Sequence, residues 1–351
     1  MNVLIVSGLW PPDVGGPASH APDVARFLRG RGHRVEVVTT AKAPPATEAF
    51  PVHWVSRWLP KGLLHARAAA LVRKRAAHAD VVYTTGMFGR SAVGALAART
   101  PYVVKLTSDP AFERARRRRL PPEWLLRRAR DLEVLRAAHV VCPSAWLREV
   151  AISWGVPPER VTVLPNPAPA VDGRATEARG LAFAGRLTAQ KSLGVALEAL
   201  SRVDGVELVV AGEGPERASL EQRAGELGLG TRVRFVGPKR REEVLDLFRA
   251  AAATILSSSW ENFPHTVVES LAVGTPVLAT RTGGVAEVVE DGRNGLLVDP
   301  GDVDGLAAAI RRYFEDEQLR ERLRAAAVPS VAEYAPERVF GRLETILLEA
   351  I

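Results

Sequence analysis

The sequence predicts an α/β protein with two doubly wound domains, each a parallel sheet with helices on both faces. Its 351 residues are 47% apolar and 25% charged, which is ordinary for a globular chain and enough for two domains. Short β-branched runs alternate with longer helical stretches rich in Ala, Arg and Leu. This alternation is typical of parallel sheets whose strands are joined by helices. It stops once, at the three prolines between residues 165 and 169, and then resumes.

The front half begins with an apolar run that lacks a basic leader and a cleavage site, so it is interpreted as a strand and not as a signal peptide. We predict six strands before the prolines, at Val3–Ser7, Arg34–Thr39, Val81–Thr84, Tyr102–Leu106, Val140–Pro143 and Val161–Leu164. We predict the intervening helices at Ala18–Arg31, Leu63–Ala77, Ser91–Ala98, Pro122–Ala137 and Ala145–Trp154.

The back half repeats the pattern. Its predicted strands are Gly180–Ala184, Val206–Ala211, Val233–Val236, Ala253–Leu256, Val277–Ala279 and Leu296–Val298. Its predicted helices are Leu193–Leu200, Ala218–Leu227, Arg241–Ala250, Thr266–Ala272, Ala286–Glu290, Val303–Arg324 and Pro336–Ile351. We therefore expect domains at 1–165 and 166–330, followed by a helical segment at 331–351.

Charge is distributed unevenly between the two halves. Residues 1–165 contain 25 Lys and Arg against 12 Asp and Glu, whereas the remainder contains 22 against 28. A basic front half favours an anionic partner. No apolar stretch reaches the roughly 18–20 uncharged residues that a spanning helix needs. The one cysteine, Cys142, lies in an apolar run, and we expect a buried strand thiol in a reducing cytoplasm.

Ligands of doubly wound sheets bind where strands end and helices begin, so the turns after strands are the candidate sites. Gly15 and Gly16 precede the first helix, where glycine amides favour an anion, although a plain turn explains them equally well. Arg186 and Lys191 follow the first strand of the back half. Together they could neutralise a diphosphate, and two solvated cations remain the alternative.

The richest turn holds two glutamates seven residues apart, Glu261 before a predicted helix and Glu269 inside it. Glu261 could act simply as a partner of the helix dipole. Glu269 is on an Ala, Leu and Val helix, where a carboxylate rarely faces a core unless something pairs with it. Because a carboxylate accepts hydrogen bonds from two hydroxyls, Glu269 suits a ribose or a hexose.

The turns, taken in order, closely resemble those of the retaining glycosyltransferases of the GT-B fold that use nucleotide-sugar donors. The matching motifs are Gly15-Gly16, Asn166-Pro167, Gly185-Arg186-Leu187 with Lys191, Gly212-Glu213-Gly214-Pro215, Phe235-Val236-Gly237, Glu261-Asn262-Phe263-Pro264 through Glu269, Gly274-Thr275-Pro276-Val277, Gly283-Gly284 with Glu287, and Gly292 with Gly295-Leu296-Leu297-Val298. They span nearly the whole back half, with thinner support in front.

The resemblance implies two Rossmann-like domains facing across a cleft, with the last helix crossing back to the first domain. It also implies transfer of a hexose-type sugar from a nucleoside diphosphate sugar, with retention at the anomeric carbon and without a metal or a cofactor. A sugar-nucleotide epimerase of the same fold is the alternative. No nucleophile is assigned, because the favoured mechanism in this family is front-face attack with the leaving phosphate as base.

The resemblance further implies roles for the donor-side residues. Arg186 and Lys191 would hold the diphosphate and stabilise charge on the leaving group. Glu269 would bind the ribose, and the loop after Gly237 would line the base. Glu261 would hold donor-sugar hydroxyls together with the backbone of the residues that follow it, namely Asn262, Phe263, Pro264 and His265. The amides of Gly15 and Gly16 would approach the phosphate or the acceptor.

On the acceptor side, many relatives place a histidine after the strand that corresponds to Tyr102–Leu106. Here the turn resembles a subgroup with an aspartate, Asp109, which is the candidate for acceptor chemistry. Asp also begins turns before proline, and this alternative stays open. Lys105 and His20 are further acceptor candidates. The expected acceptor is a glycan, a lipid-linked sugar or a small molecule.

Two other features concern partners. The D-x-D sequence Asp302-Val303-Asp304 precedes a predicted helix, so helix capping is favoured over a Mg²⁺ site, and no metal is expected. The arginine-rich segment Arg114–Arg130 could bind an anionic membrane at the cytoplasmic face, and a solvated helix face is the alternative. A nucleic-acid partner is not expected, because the best-ordered motifs lie in the acidic half.

Overall fold

The computed structural model describes residues 1–13, 16–107, 128–171 and 179–351. The chain forms two compact units, one of Met1–Asn166 with Glu337–Ile351 and the other of Pro167–Pro336. Each unit contains one parallel sheet with helices, which confirms the predicted α/β class. The chain passes between the units beside Pro167 and beside Pro336.

The first unit has seven parallel strands among its described residues, in the order β3-β2-β1-β4-β5-β6-β7. They are β1 Asn2–Ser7, β2 Arg34–Ala41, β3 Val52–Ser56, β4 Val81–Thr84, β5 Tyr102–Lys105, β6 His139–Cys142 and β7 Val161–Val163. The sequence analysis missed β3. As an edge strand it has one neighbour, and only Val55 of its five residues is buried, so it lacks the continuous apolar run of a central strand.

The helices of this unit are α1 Gly16–Gly30, α2 Lys61–Ala76, α3 Phe88–Ala98 and α4 Ala145–Ser153, and the C-terminal helix α12, Pro336–Glu349, belongs to it as well. A π-helical turn at Asp131–Leu135 occupies the end of the predicted helix Pro122–Ala137, of which residues 122–127 lie outside the described ranges. Helix α4 begins at a cap, because the Leu147 amide donates to Ser144 Oγ at 3.2 Å.

Two apolar layers cover the first sheet. On one face, Ile5, Tyr83 and Val103 pack against α1 and α12, which contribute Leu28 and Leu343 among others. On the other face, the intervening strand residues pack against α2, α3 and α4. Cys142 is buried in this second layer as expected, and burial raises the pKa of its thiol to about 12.

The second unit has six parallel strands in the order β10-β9-β8-β11-β12-β13 within the described residues. They are β8 Leu181–Ala184, β9 Leu208–Ala211, β10 Val233–Gly237, β11 Ala253–Leu256, β12 Val277–Thr280 and β13 Gly295–Val298. The helices are α5 Leu193–Ser201, α6 Arg217–Glu226, α7 Arg241–Ala250, α8 His265–Ala272, α9 Val285–Val288, α10 Val303–Glu315 and α11 Glu317–Ser330.

The predicted helix Val303–Arg324 is in fact two helices that meet at Asp316. This residue ends α10, and its carboxylate accepts from the Leu319 amide at 2.9 Å and so caps α11. The apolar period continues across the break, which is why periodicity alone predicted one helix. Among the described residues, no helix is both long and apolar enough to cross a bilayer.

The C-terminal helix should stabilise the first unit through its buried side chains. Leu343 is 1% exposed in the core, and Leu343→Ala should lower the free energy of unfolding by about 2–5 kcal/mol through the cavity it leaves. Leu348 on the same helix is 50% exposed, and Leu348→Ala should change it by less than about 0.5 kcal/mol. Urea titration followed by tryptophan fluorescence measures both, because six of the seven tryptophans precede residue 166.

Candidate functional site

The candidate site lies at the carboxyl edge of the second sheet. Strands β9, β8 and β11 are neighbours in this sheet, so the turns that follow them lie side by side. These turns contain Gly212 after β9, Gly185 after β8 and Ser257 after β11. The turns that sequence analysis singled out separately therefore meet at one edge.

An ion pair joins two of these turns. Lys191 Nζ lies 2.5 Å from Glu261 Oε1, and the side chains are only 15% and 7% exposed. Ser258 Oγ donates to the same carboxylate oxygen at 2.7 Å. The sequence placed Lys191 with the diphosphate and Glu261 with the sugar, and the structure brings the two side chains into direct contact.

Hydrogen bonds hold the loop that contains Glu261 from two sides. Ser257 Oγ donates to the Lys191 carbonyl at 3.1 Å, and Gln190 Nε2 donates to the Trp260 carbonyl at 3.1 Å. On the other side, Thr280 Oγ1 donates to the Ser258 carbonyl at 2.6 Å. The ion pair is therefore positioned by a network and not by two long side chains alone.

Glycines allow the close backbone contacts of this edge. Gly283 has a φ of +48°, and a Cβ there would lie 1.8 Å from the Glu261 carbonyl oxygen. Gly212 has a φ of +151°, and a Cβ there would lie 1.9 Å from the Gly185 carbonyl oxygen. A side chain at either position would displace the turn it contacts.

Arg186 differs from Lys191 in its surroundings. Its side chain is exposed, and no carboxylate in the described part of the chain pairs with it. It lies directly after Gly185 at the end of β8. The exposed guanidinium of Arg186 is therefore a cation of this turn that is available to an anionic ligand, whereas the Lys191 ammonium is largely buried and already paired.

The second glutamate has its own cation. Glu269 is in α8, and Arg241 Nε at the start of α7 donates to Glu269 Oε1 at 3.1 Å. Burial raises the pKa of Glu269 above its ordinary value, and the charge and hydrogen bond of Arg241 oppose this rise. The two glutamates are thus held by separate cations, and the hydrogen bond from Arg241 Nε engages one of the two carboxylate oxygens of Glu269.

Sequence analysis missed Arg241 and Ser258. Arg241 lies in the first turn of a helix, where the dipole disfavours a cation, and that unfavourable position is a signal for a partner elsewhere. Ser258 belongs to a run of three serines, and nothing in that run indicates which serine contacts a carboxylate.

The residues between the two glutamates lie at the start of α8. Phe263 and Pro264 are buried, Asn262 is half-buried, and His265 is exposed as the first residue of the helix. The rings of Phe263 and His265 are in edge contact, with centroids 5.3 Å apart. Gly237 ends β10 with a φ of +73°, where the chain turns towards α7.

The first unit holds the other candidates. His20 is 8% exposed, and its Nε2 lies 3.0 Å from the Tyr83 hydroxyl in the layer under α1 and α12. Lys105 is 2% exposed at the end of β5, and Gly16 is the first residue of α1. Gly15, Asp109 and residues 114–127 of the arginine-rich segment lie outside the described residues.

Asp302 caps a helix, as the sequence predicts. Its carboxylate accepts from the Gly305 amide at 2.8 Å at the start of α10. Asp304 in the first turn forms an ion pair with Arg202. Both carboxylates of the D-x-D sequence therefore have partners of their own.

Comparison with known proteins gives a consistent result. Residues 169–328 match the family of glycosyl transferases group 1, and residues 14–170 match glycosyltransferase family 4. The chain is 30% identical to a D-inositol 3-phosphate glycosyltransferase of Nocardioides sp., over 97% of this chain and 88% of that protein. It is 40% identical to the lipopolysaccharide core biosynthesis glycosyltransferase LpsE of Rhizobium meliloti, over only 40% of each chain.

A solved structure shows the same fold. The Anabaena protein HepE in complex with UDP-glucose superimposes with a TM-score of 0.82 over 99% of this chain and 100% of that one, at 23% identity. The similarity extends over both units, which confirms the two Rossmann-like domains of the predicted GT-B architecture.

The raised pKa of Glu269 makes a prediction about pH. Burial favours the neutral form of Glu269 in the folded protein. The contribution of this side chain to the free energy of unfolding is therefore fully present below pH 4.5 and is lost as pH rises through the raised pKa. The variant Glu269→Gln should therefore gain stability relative to the unchanged protein as pH rises above 4.5. Urea unfolding followed by circular dichroism at several pH values measures the difference.

The control is Glu226→Gln on α6. Hydrogen bonds from Gln222 and Arg223 lower the pKa of exposed Glu226, so its contribution is present above pH 4.5 and lost as pH falls. The difference in free energy of unfolding between Glu226→Gln and the unchanged protein should therefore change with pH in the opposite direction to that of Glu269→Gln. Parallel curves for the two variants would contradict the assignment for Glu269.

Proposed function

The chain belongs to the group 1 and family 4 glycosyltransferases, and on that premise we propose that it transfers a hexose-type sugar from a nucleoside diphosphate sugar to a glycan, lipid-linked or small-molecule acceptor, with retention of configuration. One observation carries the donor part of this proposal. Two cations on the turn after β8 and two carboxylates, one on the loop after β11 and one in α8, lie along one edge of the second sheet, at Arg186, Lys191, Glu261 and Glu269.

The cations suit a diphosphate. Exposed Arg186 offers a planar fork to phosphate oxygens, while Lys191 adds a positive charge whose position is set by Glu261. As the bond between the anomeric carbon and the diphosphate breaks, negative charge grows on the leaving oxygen. Cations already in place stabilise that charge without reorganisation. We assign this work to Arg186 and Lys191 rather than to a metal, since Asp302 of the D-x-D sequence caps a helix.

The carboxylates suit hydroxyl groups. Arg241 donates to Glu269 through one oxygen, which leaves the carboxylate able to accept from ribose hydroxyls. Glu261 already accepts from Lys191 and Ser258, and its neighbours up to His265 would supply backbone groups to the donor sugar. In this arrangement the acceptor oxygen bonds to the anomeric carbon on the face that the diphosphate leaves, and its proton passes to a leaving phosphate oxygen.

The uridine nucleotides are the first donors to test. HepE of Anabaena was solved with UDP and with UDP-glucose, which supports a uridine diphosphate sugar for this chain. The inositol phosphate and lipopolysaccharide transferases among the relatives support acceptors that carry sugar or cyclitol hydroxyls.

Donor binding should depend on the edge cations. With UDP-glucose, UDP-galactose and the corresponding GDP and ADP sugars as a panel, at least one should raise the melting temperature. Lys191→Gln and Arg186→Gln should each lower the affinity for that ligand about 10-fold or more, because charged hydrogen bonds to phosphate contribute about 1.5–3 kcal/mol. Arg311→Gln, on the exposed surface of α10, is the matched control and should leave binding unchanged. Equal binding by all three variants would contradict the site.

Product analysis separates transfer from epimerisation. A transferase needs an acceptor for productive turnover, whereas an epimerase releases free UDP and an altered sugar without one. Formation of a glycoside only when an acceptor is added supports the proposal. Conversion of the donor sugar in the absence of any acceptor would favour the epimerase instead.

We also propose that the first unit contacts an anionic membrane, through a described surface in addition to the predicted Arg114–Arg130 segment. The outward face of α2 carries Leu63, Arg67 and Lys74, opposite its buried stripe of Ala68, Val72 and Ala76. Trp58 is 76% exposed just before this helix, and α2 contains no acidic residue. An exposed tryptophan and leucine among cations suit the interface of an anionic bilayer.

Membrane binding should respond to the charges of α2. Each basic residue near an anionic surface contributes about 1 kcal/mol, so Arg67→Gln with Lys74→Gln should weaken binding to phosphatidylglycerol vesicles about 30-fold. The matched control removes two exposed arginines from α10 of the second unit, Arg311→Gln with Arg312→Gln. Sedimentation with vesicles measures both. Equal vesicle binding by the two double variants would contradict the assignment of membrane binding to α2.

A further inference from the structure

Among the buried polar groups of the first unit that have no hydrogen-bond partner in the described residues, two lie at the ends of neighbouring strands. One is the Lys105 ammonium at the end of β5, and the other is the Thr85 hydroxyl, directly after β4. Both residues are 2% exposed. Buried polar side chains are nearly always paired, so two unpaired groups close together call for a specific explanation.

The sheet order places the two residues at the ends of neighbouring strands. Thr84 is paired with Val104 between β4 and β5, and Thr85 and Lys105 are the next residues along the two chains. Side chains alternate along a strand, so Lys105, the last residue of β5, follows Val103 on the face that α1 and α12 cover. This is the carboxyl edge, where ligands of parallel sheets bind.

No negative charge compensates Lys105 in the described part of the chain. Burial lowers the pKa of its amine to about 7. Cys142 on β6 is the titratable neighbour, and burial raises the pKa of that thiol to about 12, so it is neutral. On the same face of the sheet, His20 is bonded to the Tyr83 hydroxyl, which is also neutral. A leucine or methionine would fill the volume without this cost, so the lysine is explained by a ligand.

We propose that Lys105 and Thr85 form a subsite for an anionic group, a phosphate or a carboxylate, on the sugar acceptor. The inference rests on the proposed transferase function and specifies the class of acceptor. The ammonium provides charge, and the hydroxyl provides a second donor to the same oxyanion. Their hydrogen bonds would replace those that the anion loses to water when it binds at this edge of the sheet.

The test uses the small number of lysines. The chain has six, so carbon-13 labelling of lysine gives six resolvable side-chain signals, and Lys105→Met identifies that of Lys105. Inorganic phosphate should raise the titration midpoint of Lys105 by about one pH unit or more, because an adjacent anion favours the charged form. Exposed Lys61 is the internal control and should not respond.

Two variants separate binding from folding. Lys105→Met should retain or raise the melting temperature, because it removes an unpaired buried group, yet phosphate should no longer stabilise the protein. Thr85→Val should weaken phosphate binding about 3- to 10-fold, the range expected for one hydrogen bond. The control Thr100→Val removes a hydroxyl that donates to Ala76 and should leave phosphate affinity unchanged.

UDP distinguishes the subsite from the donor site. UDP should perturb the Lys191 signal, and phosphate at low concentration should perturb that of Lys105. If saturating phosphate leaves Lys105 unchanged, or if only UDP shifts it, the acceptor subsite is wrong even though the donor site stands. If phosphate shifts Lys105 and UDP leaves Lys191 unchanged, the subsite stands and the proposed donor site is wrong.

Discussion

The ion pair between Lys191 and Glu261 is the contact on which the candidate donor site depends. It joins the turn after β8 to the loop after β11, and both side chains are largely removed from water. A buried charge that loses its partner is costly, so each side chain constrains the other. The hydrogen bonds from Ser258, and those around Gln190 and Ser257, then fix the loop in which Glu261 lies. The two turns consequently behave as one element.

A comparable constraint acts on Glu269. Its helix is apolar on the side that packs in the core, and Arg241 reaches Glu269 from the start of the preceding helix, α7. Burial favours the neutral acid and the guanidinium favours the carboxylate, so the two effects oppose each other in one side chain. A ligand hydroxyl that donates to this carboxylate would act in the same direction as Arg241. Under the proposed function, ribose recognition and the ionisation of Glu269 would therefore be coupled.

The largely buried charged groups of the second unit's candidate site are paired, whereas the first unit contains buried polar groups without a partner in the described part of the chain. Within the described residues, the side-chain polar atoms of Lys105 and Thr85 have no hydrogen-bond partner, whereas His20 is bonded to Tyr83 in the layer beneath α1 and α12. The C-terminal helix completes that layer with Phe340 and Leu343. The first unit therefore depends on the last residues of the chain for the core beneath its candidate acceptor residues.

The sequence by itself determined the α/β class, the proline break, nearly all strands and the family, because these follow from local periodicity and from motifs in a fixed order. It also identified Arg186, Lys191, Glu261 and Glu269, since each lies in the segment between a strand and a helix or interrupts an apolar helix. Only the tertiary structure decided which of them touch. The pairs Lys191–Glu261 and Arg241–Glu269 join residues 70 and 28 positions apart, and such contacts are set by strand order and not by spacing along the chain.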